Sequence, residues 1–405
     1  MNIKELQSAV NPIYTTAKGL LGLLISGGEP DALKLAPHIN LAELRPKLDK
    51  TPPLEIMNCF KIGQMARFDI NNSAALKSGK QTIIDLPCGY TTRCFKVADN
   101  GQKYYGFDLP IVIDEIKDWT SKIMTEEQKS LISFNAVDAT NYNSLRNALK
   151  DVKGEICIIT EGLLSYFSDS ELISMCQAIY KLLAEFGGCW ITADGSEMYL
   201  MYPLVLSVVY QGDKEKVLSI MKELSSSMAN VNAFTNTFSA NKFAKAKEFL
   251  EKQGFIIKEE SISKYMDKLK CVPEDKEAIL RETLGSKINI WTMTIDKKDE
   301  KFENNEEKIE FKLETKLEEN IFKIDIKGRL DTLTAPELLQ KFKENKDIKS
   351  IKINSNEMTF ISSAGIRVFQ MMLKELENKD LFEINGANEN VKKILIENGF
   401  ESNIK

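Results

Sequence analysis

The sequence predicts two α/β domains: an open, mostly parallel sheet with helices on both faces and helical additions over residues 1–297, then a small α/β domain over 309–405. Two observations carry this reading. Short apolar runs at 82–84, 104–107, 156–159 and 190–193 alternate with amphipathic stretches, the pattern of a parallel sheet covered by helices. The run DKKDEKFENNEEK, at 296–308, offers almost nothing to bury, so residues 298–308 are a charged linker between two cores. At 405 residues the chain is long enough for such a division, since single cores rarely grow beyond about 250 to 300 residues.

Two stretches of the first domain fall outside the strand–helix repeat: a helical N-terminal part, 1–75, and a helical insertion, 196–254. Additions to an open α/β sheet commonly shape the crevice at the carboxyl ends of the strands, so both are assigned to enclosing a ligand. Further β-prone runs at 255–258 and 288–294 can close the sheet. After the linker come a strand pair within 311–326, a helix at 335–345 and a strand at 350–353. A helix at 364–377, a strand at 381–384 and a helix at 390–398 follow, with Gly399 as its C-cap.

Composition narrows the function classes. Hydrophobic residues at 43% and charged residues at 28% are ordinary for globular domains, and the net charge of −5 is spread along the chain without a basic stripe, so no nucleic-acid partner is expected. The opening MNIKELQSAVNPIY does not read as a secretion signal, and the most apolar stretch, 198–210, is interrupted by Pro203. It is far short of the roughly 20 residues that span a bilayer. No membrane contact and a cytoplasmic location are therefore expected. Seven scattered cysteines without a CxxC pair give no disulfide framework and no zinc site, and the single histidine, His38, cannot build a histidine triad or a multi-histidine metal centre within one chain.

The strongest chemical signal is IIDLPCGYTTR, at 83–93. A buried strand running through Asp85 into a tight turn with Gly89, and then into a helix, lets backbone approach a ligand closely. About 20 residues later YYGFDLP ends the second strand in Asp108, where an acidic side chain can accept both hydroxyl hydrogens of a ribose. The pair suits an adenosine-containing cofactor. A dinucleotide site needs G-x-G-x-x-G to seat a pyrophosphate, but this turn has only Gly89, with Pro87 where the first glycine would stand. The third and fourth strands also end in carboxylates, Asp138 in FNAVDATNY and Glu161 in ICIITEGLLSYF. Carboxylates suit an adenine amino group, a ribose and a methionine ammonium; they suit phosphates badly. S-adenosylmethionine is thus favoured over NAD.

In order and spacing, DLPCGYTTR, YGFDLP and ITEGLLSYF resemble the leucine carboxyl methyltransferase family of class I S-adenosylmethionine enzymes, whose pattern is approximately G-x-G-x-D-T-R, E-x-D-x-P and E-G-x-x-x-Y-[LM]. The resemblance covers much of 65–167 and implies a class I methyltransferase (Rossmann-like) sheet. It also implies that Gly89 lines the cofactor, Asp108 holds the ribose, Asp138 lies by the adenine, Glu161 flanks the methionine end, and Arg67 in MARFD binds the cofactor's carboxylate. Pro87 and Thr91 depart from the pattern, Pro87 by fixing φ and removing an amide donor. Arg93 and Tyr166 read equally as packing residues, and Cys88 as turn packing rather than a nucleophile.

Methyl transfer from a sulfonium needs an aligned acceptor more than a base. The expected reaction is therefore O-methylation of a carboxylate or acidic hydroxyl on a small molecule or peptide terminus. Met198, Tyr199, Met201, Tyr202 and Leu204 are candidates to line the acceptor side, with ordinary helix core as the alternative. In the second domain, GRLDTLTAPEL followed by MTFISSAGIRVF resembles the STAS family of anti-sigma-factor antagonists over essentially all of 309–405. The family motif, approximately D-S-[STA]-G, places a phosphorylated serine at Ser363 and has Ser362 in place of its aspartate. The implied partner is a serine kinase or an anti-sigma-like protein. A different reading of the whole chain is a non-catalytic sensor of S-adenosylmethionine that signals through the STAS domain.

Overall fold

A computed structural model describes residues 2–12, 14–44, 52–194, 200–213, 215–220, 238, 243–296 and 309–405. The linker at 298–308, parts of the helical insertion and the acceptor-side candidates Met198 and Tyr199 lie outside the described residues. The described residues form two units, one of residues 14–296 and one that joins 2–12 to 309–405.

The larger unit is built on seven strands: β1 Thr82–Asp85, β2 Lys103–Asp108, β3 Ile132–Ala136, β4 Ile156–Thr160, β5 Gly188–Thr192, β6 Phe255–Ser261 and β7 Asn289–Ile295. Their order across the sheet is β3-β2-β1-β4-β5-β7-β6. The first five run parallel, and β7 inserts antiparallel between β5 and β6. Every residue of β1 and β4 is buried, as strands covered on both faces must be, which is why TIID and ICIIT read as unbroken apolar runs closing on a polar residue. The two late runs thus complete the sheet as predicted, with a strand reversal that their composition does not encode.

Helix Leu54–Lys77 shows how the N-terminal addition joins this core. Ile56, Cys59, Ile62, Ala66 and Ile70 recur at helical spacing and pack with the sheet cluster, while Met65 and Phe68 face a second cluster with Leu21, Leu24 and Tyr90. The helix is therefore buried on two sides, and from it Arg67 reaches Glu161 and Asn72 reaches Arg93. Gly63 admits the ring of Tyr202 from helix Met201–Tyr210: a Cβ there would lie 2.7 Å from two ring carbons. Met201, Tyr202 and Leu204, offered as acceptor-side candidates, belong to this packed core at 0%, 6% and 7% exposure.

The smaller unit has four strands, β8 Lys312–Glu318, β9 Ile321–Leu330, β10 Ser350–Ile361 and β11 Phe382–Asn385, in the order β11-β10-β9-β8. Period-two burial along β9 points Phe322, Ile324 and Ile326 inward against Leu338, Leu339 and Phe342 of helix Ala335–Glu344 and Phe369 and Met372 of helix Ser363–Glu375. Strand β10 runs well beyond the predicted 350–353, through register shifts that carry it into MTFI.

Residues 2–12 correct the sequence reading, which placed them with the first domain. Helix Ile3–Val10, opened by an Asn2–Glu5 capping box, buries Leu6 and Val10 in the core of the smaller unit. Arg367 donates to the Val10 carbonyl, and Asn11 Nδ2 donates to the Thr332 carbonyl at 3.4 Å. An amphipathic helix of two turns carries no mark of which core it will cover, so sequence adjacency was the wrong guide. Among the described residues no helix is long and apolar enough to cross a membrane.

Candidate functional site

Strand order reverses between β1 and β4, and an open α/β sheet binds ligands in the crevice outside the carboxyl ends at such a switch point. Carboxylates stand at those ends in spatial order: Asp138 past β3, Asp108 closing β2, Asp85 closing β1, Glu161 past β4 and Asp194 past β5. The first four are 2%, 8%, 0% and 8% exposed, so each must be answered by donors from the protein or from a ligand.

Asp85 and Glu161 are answered from within. Arg93 sits on the first turn after the glycine turn, is 1% exposed, and pairs with Asp85 through one terminal nitrogen and with Glu161 through the other. Its Nε donates to Asn72 Oδ1 at 2.7 Å, which fixes the guanidinium against helix Leu54–Lys77. The Tyr104 hydroxyl donates to the second Asp85 oxygen at 2.8 Å, and Arg67 Nε to the second Glu161 oxygen at 2.8 Å. Burial opposes the Glu161 charge, but the two guanidiniums outweigh it and hold that carboxyl below its usual range. At Asp85 burial prevails over Arg93 and Tyr104, and the carboxyl is raised. Asp85, expected at the cofactor, is the inner anchor of Arg93, with both oxygens engaged by protein donors.

Asp108 is arranged differently. Its Oδ2 accepts the Gly89 amide and its Oδ1 the Leu109 amide, both at 2.7 Å, and no cation pairs with it among the described residues. Each oxygen can still accept a further donor. Burial pushes this carboxyl up to about 7, against the pull of the Leu109 and Gly89 amides. Gly89 has φ +52°, and a Cβ there would meet only Ala17 at 3.5 Å, so backbone conformation rather than crowding calls for glycine. Despite Pro87 the turn stays tied to the sheet on both sides: the Leu86 amide donates to Ile159 O and the Cys88 amide to Phe107 O, each at 2.9 Å. The buried Cys88 thiol is pushed up by burial and packs the turn, as expected of a residue that is no nucleophile.

Asp138 has one satisfied oxygen and one that is not. Oδ1 accepts the Thr140 amide at 2.7 Å and hydroxyl at 2.6 Å, whereas Oδ2 is buried without a hydrogen-bond partner among the described residues. An unsatisfied buried acceptor costs about 1–3 kcal/mol, so a ligand donor at this point is worth that much more than one at the surface. Arg67, with 19% of its side chain exposed, is the accessible cation of the group. These atoms fit an adenosyl amino-acid cofactor: paired acceptors at β2 for hydroxyls, an open acceptor past β3 for an amino group, and a guanidinium for a carboxylate.

Sequence reasoning missed Asp194. Its carboxylate accepts the amides of Gly162 and Leu163, each at 2.7 Å, and of Leu164 at 3.1 Å, so β5 pins the loop that follows Glu161. The signal was present, because WITAD is one more apolar run ending in an acid. Gly162 has φ +69°, and a Cβ there would lie 2.9 Å from Arg67 Nη2, so glycine lets that guanidinium rest on the loop. Tyr166 falls in the short 3-10 turn Leu164–Tyr166 that ends the same loop. Among the described residues no cluster of histidine, cysteine or carboxylate side chains could hold a metal ion.

In the smaller unit Ser362 is the N-cap of helix Ser363–Glu375, its Oγ accepting the Ala364 amide at 3.1 Å and the Gly365 amide at 3.4 Å. Serine caps as an aspartate would, which accounts for the exchange at that position. Ser363 is the first helical residue. Asp331 is 2% exposed and organises the turn into helix Ala335–Glu344 through the Leu333 amide at 3.1 Å and Thr334 Oγ1 at 3.3 Å.

The seven-stranded sheet, with an antiparallel strand next to its last position, resembles the class I methyltransferase fold. Residues 312–405 match the model of the STAS domain family, so the C-terminal unit is a STAS domain. No curated protein matches the chain by sequence. Structural comparison returns the methyltransferase domain of bacterial CtHen1-C, at 16% identity and TM-score 0.35, covering 57% of this chain and 98% of that one. It also returns human N-acetylserotonin methyltransferase in complex with SAM, at 14% identity and TM-score 0.31, covering 68% and 70%. The glycopeptide N-methyltransferase MtfA complexed with sinefungin matches at 8% identity and TM-score 0.32, covering 66% and 98%.

Proposed function

We propose that residues 14–296 are an S-adenosylmethionine-dependent methyltransferase acting on a carboxylate or acidic hydroxyl, and that the STAS domain docks a regulatory partner. The observation that carries the first half is the pair of buried acceptors at adjacent strand ends, Asp108 with spare capacity on both oxygens and Asp138 with one oxygen unpartnered. Asp108 holds the ribose hydroxyls, Asp138 Oδ2 takes the adenine amino hydrogen, and Arg67 takes the cofactor carboxylate while Glu161 keeps it oriented.

When bound, the cofactor supplies an electrophilic methyl group on a sulfonium. The chain contributes position and an electrically balanced wall, because Arg67 and Arg93 are matched by Asp85 and Glu161. With Asp108 and Asp138 given to the cofactor and Asp85 and Glu161 to the arginines, none of these four carboxylates is assigned as a base, which favours an acceptor that arrives already anionic, such as the carboxylate of a small molecule or a peptide terminus, as the leucine carboxyl methyltransferase resemblance implies. Incubation with methyl-labelled cofactor and a panel of carboxylic acids, amines and peptides tests this. The expected product is a methyl ester that releases labelled methanol in mild base; label found only on nitrogen or carbon acceptors would overturn the O-methyl assignment. Binding without transfer to any acceptor would instead support the sensor reading.

At the STAS domain, Ser363 opens a helix whose N-terminal amides favour a phosphate, and phosphorylation there would add about −1.5 to −2 charge to the surface a partner reads. A serine kinase or an anti-sigma-like protein is the corresponding partner class.

A further inference from the structure

The end of the sheet opposite the carboxylates holds two cysteines that the proposed reaction does not use. Cys157 of β4 and Cys189 of β5 are register partners on adjacent parallel strands, so their side chains leave the same face side by side. Neighbouring strands lie about 4.8 Å apart, inside the roughly 4.4–6.8 Å window of Cα separations that a disulfide spans. Both are free thiols. Cys157 is fully buried, whereas Cys189 retains 7% exposure, more than Cys59, Cys88, Cys94 or Cys176. Lys80, paired with Glu155 at 2.7 Å, places its ammonium near this pair. The adjoining Cys157 thiol and the charge of Lys80 hold the Cys189 thiol below its ordinary range despite burial.

We infer that Cys157 and Cys189 form a reversible dithiol–disulfide pair, a redox modification site for hydroperoxides at the amino ends of β4 and β5. The Cys189 thiolate attacks one peroxide oxygen, the O–O bond breaks, and the sulfur becomes a sulfenic acid as hydroxide leaves and takes up a proton as water. The Cys157 sulfur then attacks the Cys189 sulfur; the S–O bond breaks, the hydroxyl leaves as a second water with the Cys157 proton, and the S–S bond forms. Two thiols lose two electrons and hydrogen peroxide gains them.

The test treats the native full-length C271S variant, which removes the exposed cysteine, with a small excess of hydrogen peroxide, then alkylates and peptide-maps under denaturing conditions. The expected result is two alkylatable thiols fewer than in untreated protein and a Cys157–Cys189 linked peptide that dithiothreitol reverses. In C157S, Cys189 should accumulate a dimedone-reactive sulfenic acid; in C189S, Cys157 should stay reduced. Full alkylation of both cysteines after treatment, or a linked peptide that forms only when the chain is unfolded first, would overturn the assignment.

Discussion

Replacing Arg93 by methionine is expected to lower the stability of the 14–296 unit by about 3–5 kcal/mol, the cost of removing one partner from a buried ion network. Arg93 answers one oxygen each of Asp85, Glu161 and Asn72 from a position that is 1% exposed. Methionine fills similar volume beside the Phe68 ring, where the guanidinium lies 5.7 Å from the ring centroid, so the loss isolates charge rather than packing. Urea unfolding followed by tryptophan fluorescence measures it cleanly, because Trp119, Trp190 and Trp291 all lie in this unit. The deficit should depend on pH with a definite sign. Glu161 has a lowered carboxyl in the folded state, so its contribution is present above the carboxylate range and lost as pH falls through the folded value. In R93M that contribution shrinks, and the gap to wild type narrows in acid. The double variant D85N/R93M should recover part of the loss; an R93M protein as stable as wild type would remove the network from the account.

Changing Asp108 to asparagine is expected to weaken S-adenosylmethionine binding by about a hundredfold, since two hydrogen bonds to a charged acceptor contribute about 1.5–3 kcal/mol each and part survives through the amide oxygen. The pH profile is the sharper readout. With its carboxyl pushed up to about 7, Asp108 is protonated in weak acid and presents a donor where the ribose needs acceptors. Wild-type affinity should therefore rise roughly tenfold from about pH 6 to about pH 8, while D108N loses that component of the profile. The difference between the two profiles isolates Asp108 from any titration of the cofactor itself. Superimposable profiles would mean that Asp108 does not touch the ligand.

How much of this was legible in the sequence varied with the physics. Strands β1, β2, β4 and β5 announce themselves because burial on both faces demands apolar runs. Strand β3 has no such run: it lies at the sheet edge and is only half-buried, yet the acid that follows it still betrayed its end. The direction of β7 was not readable, since composition reports that a run is a strand and not which way it pairs. Of the expected site residues, Gly89 and Asp108 meet each other, and Arg67 meets Glu161, as their places at the ends of neighbouring strands and helices allow. Asp85 looked like one more ligand because a strand-end acid reads alike whether it faces outward or inward. Its partner Arg93 is 8 residues away and the other arm of that guanidinium reaches 68 residues along the chain, a triangle closed only by the fold. Helix Ile3–Val10 is the opposite failure, a local element read correctly as helical and assigned to the wrong core.

The most direct test of the central claim is calorimetric titration of the purified protein with S-adenosylmethionine and, separately, with NAD. Micromolar binding of S-adenosylmethionine with no heat from NAD is the predicted result; binding of NAD, or of neither, would contradict it.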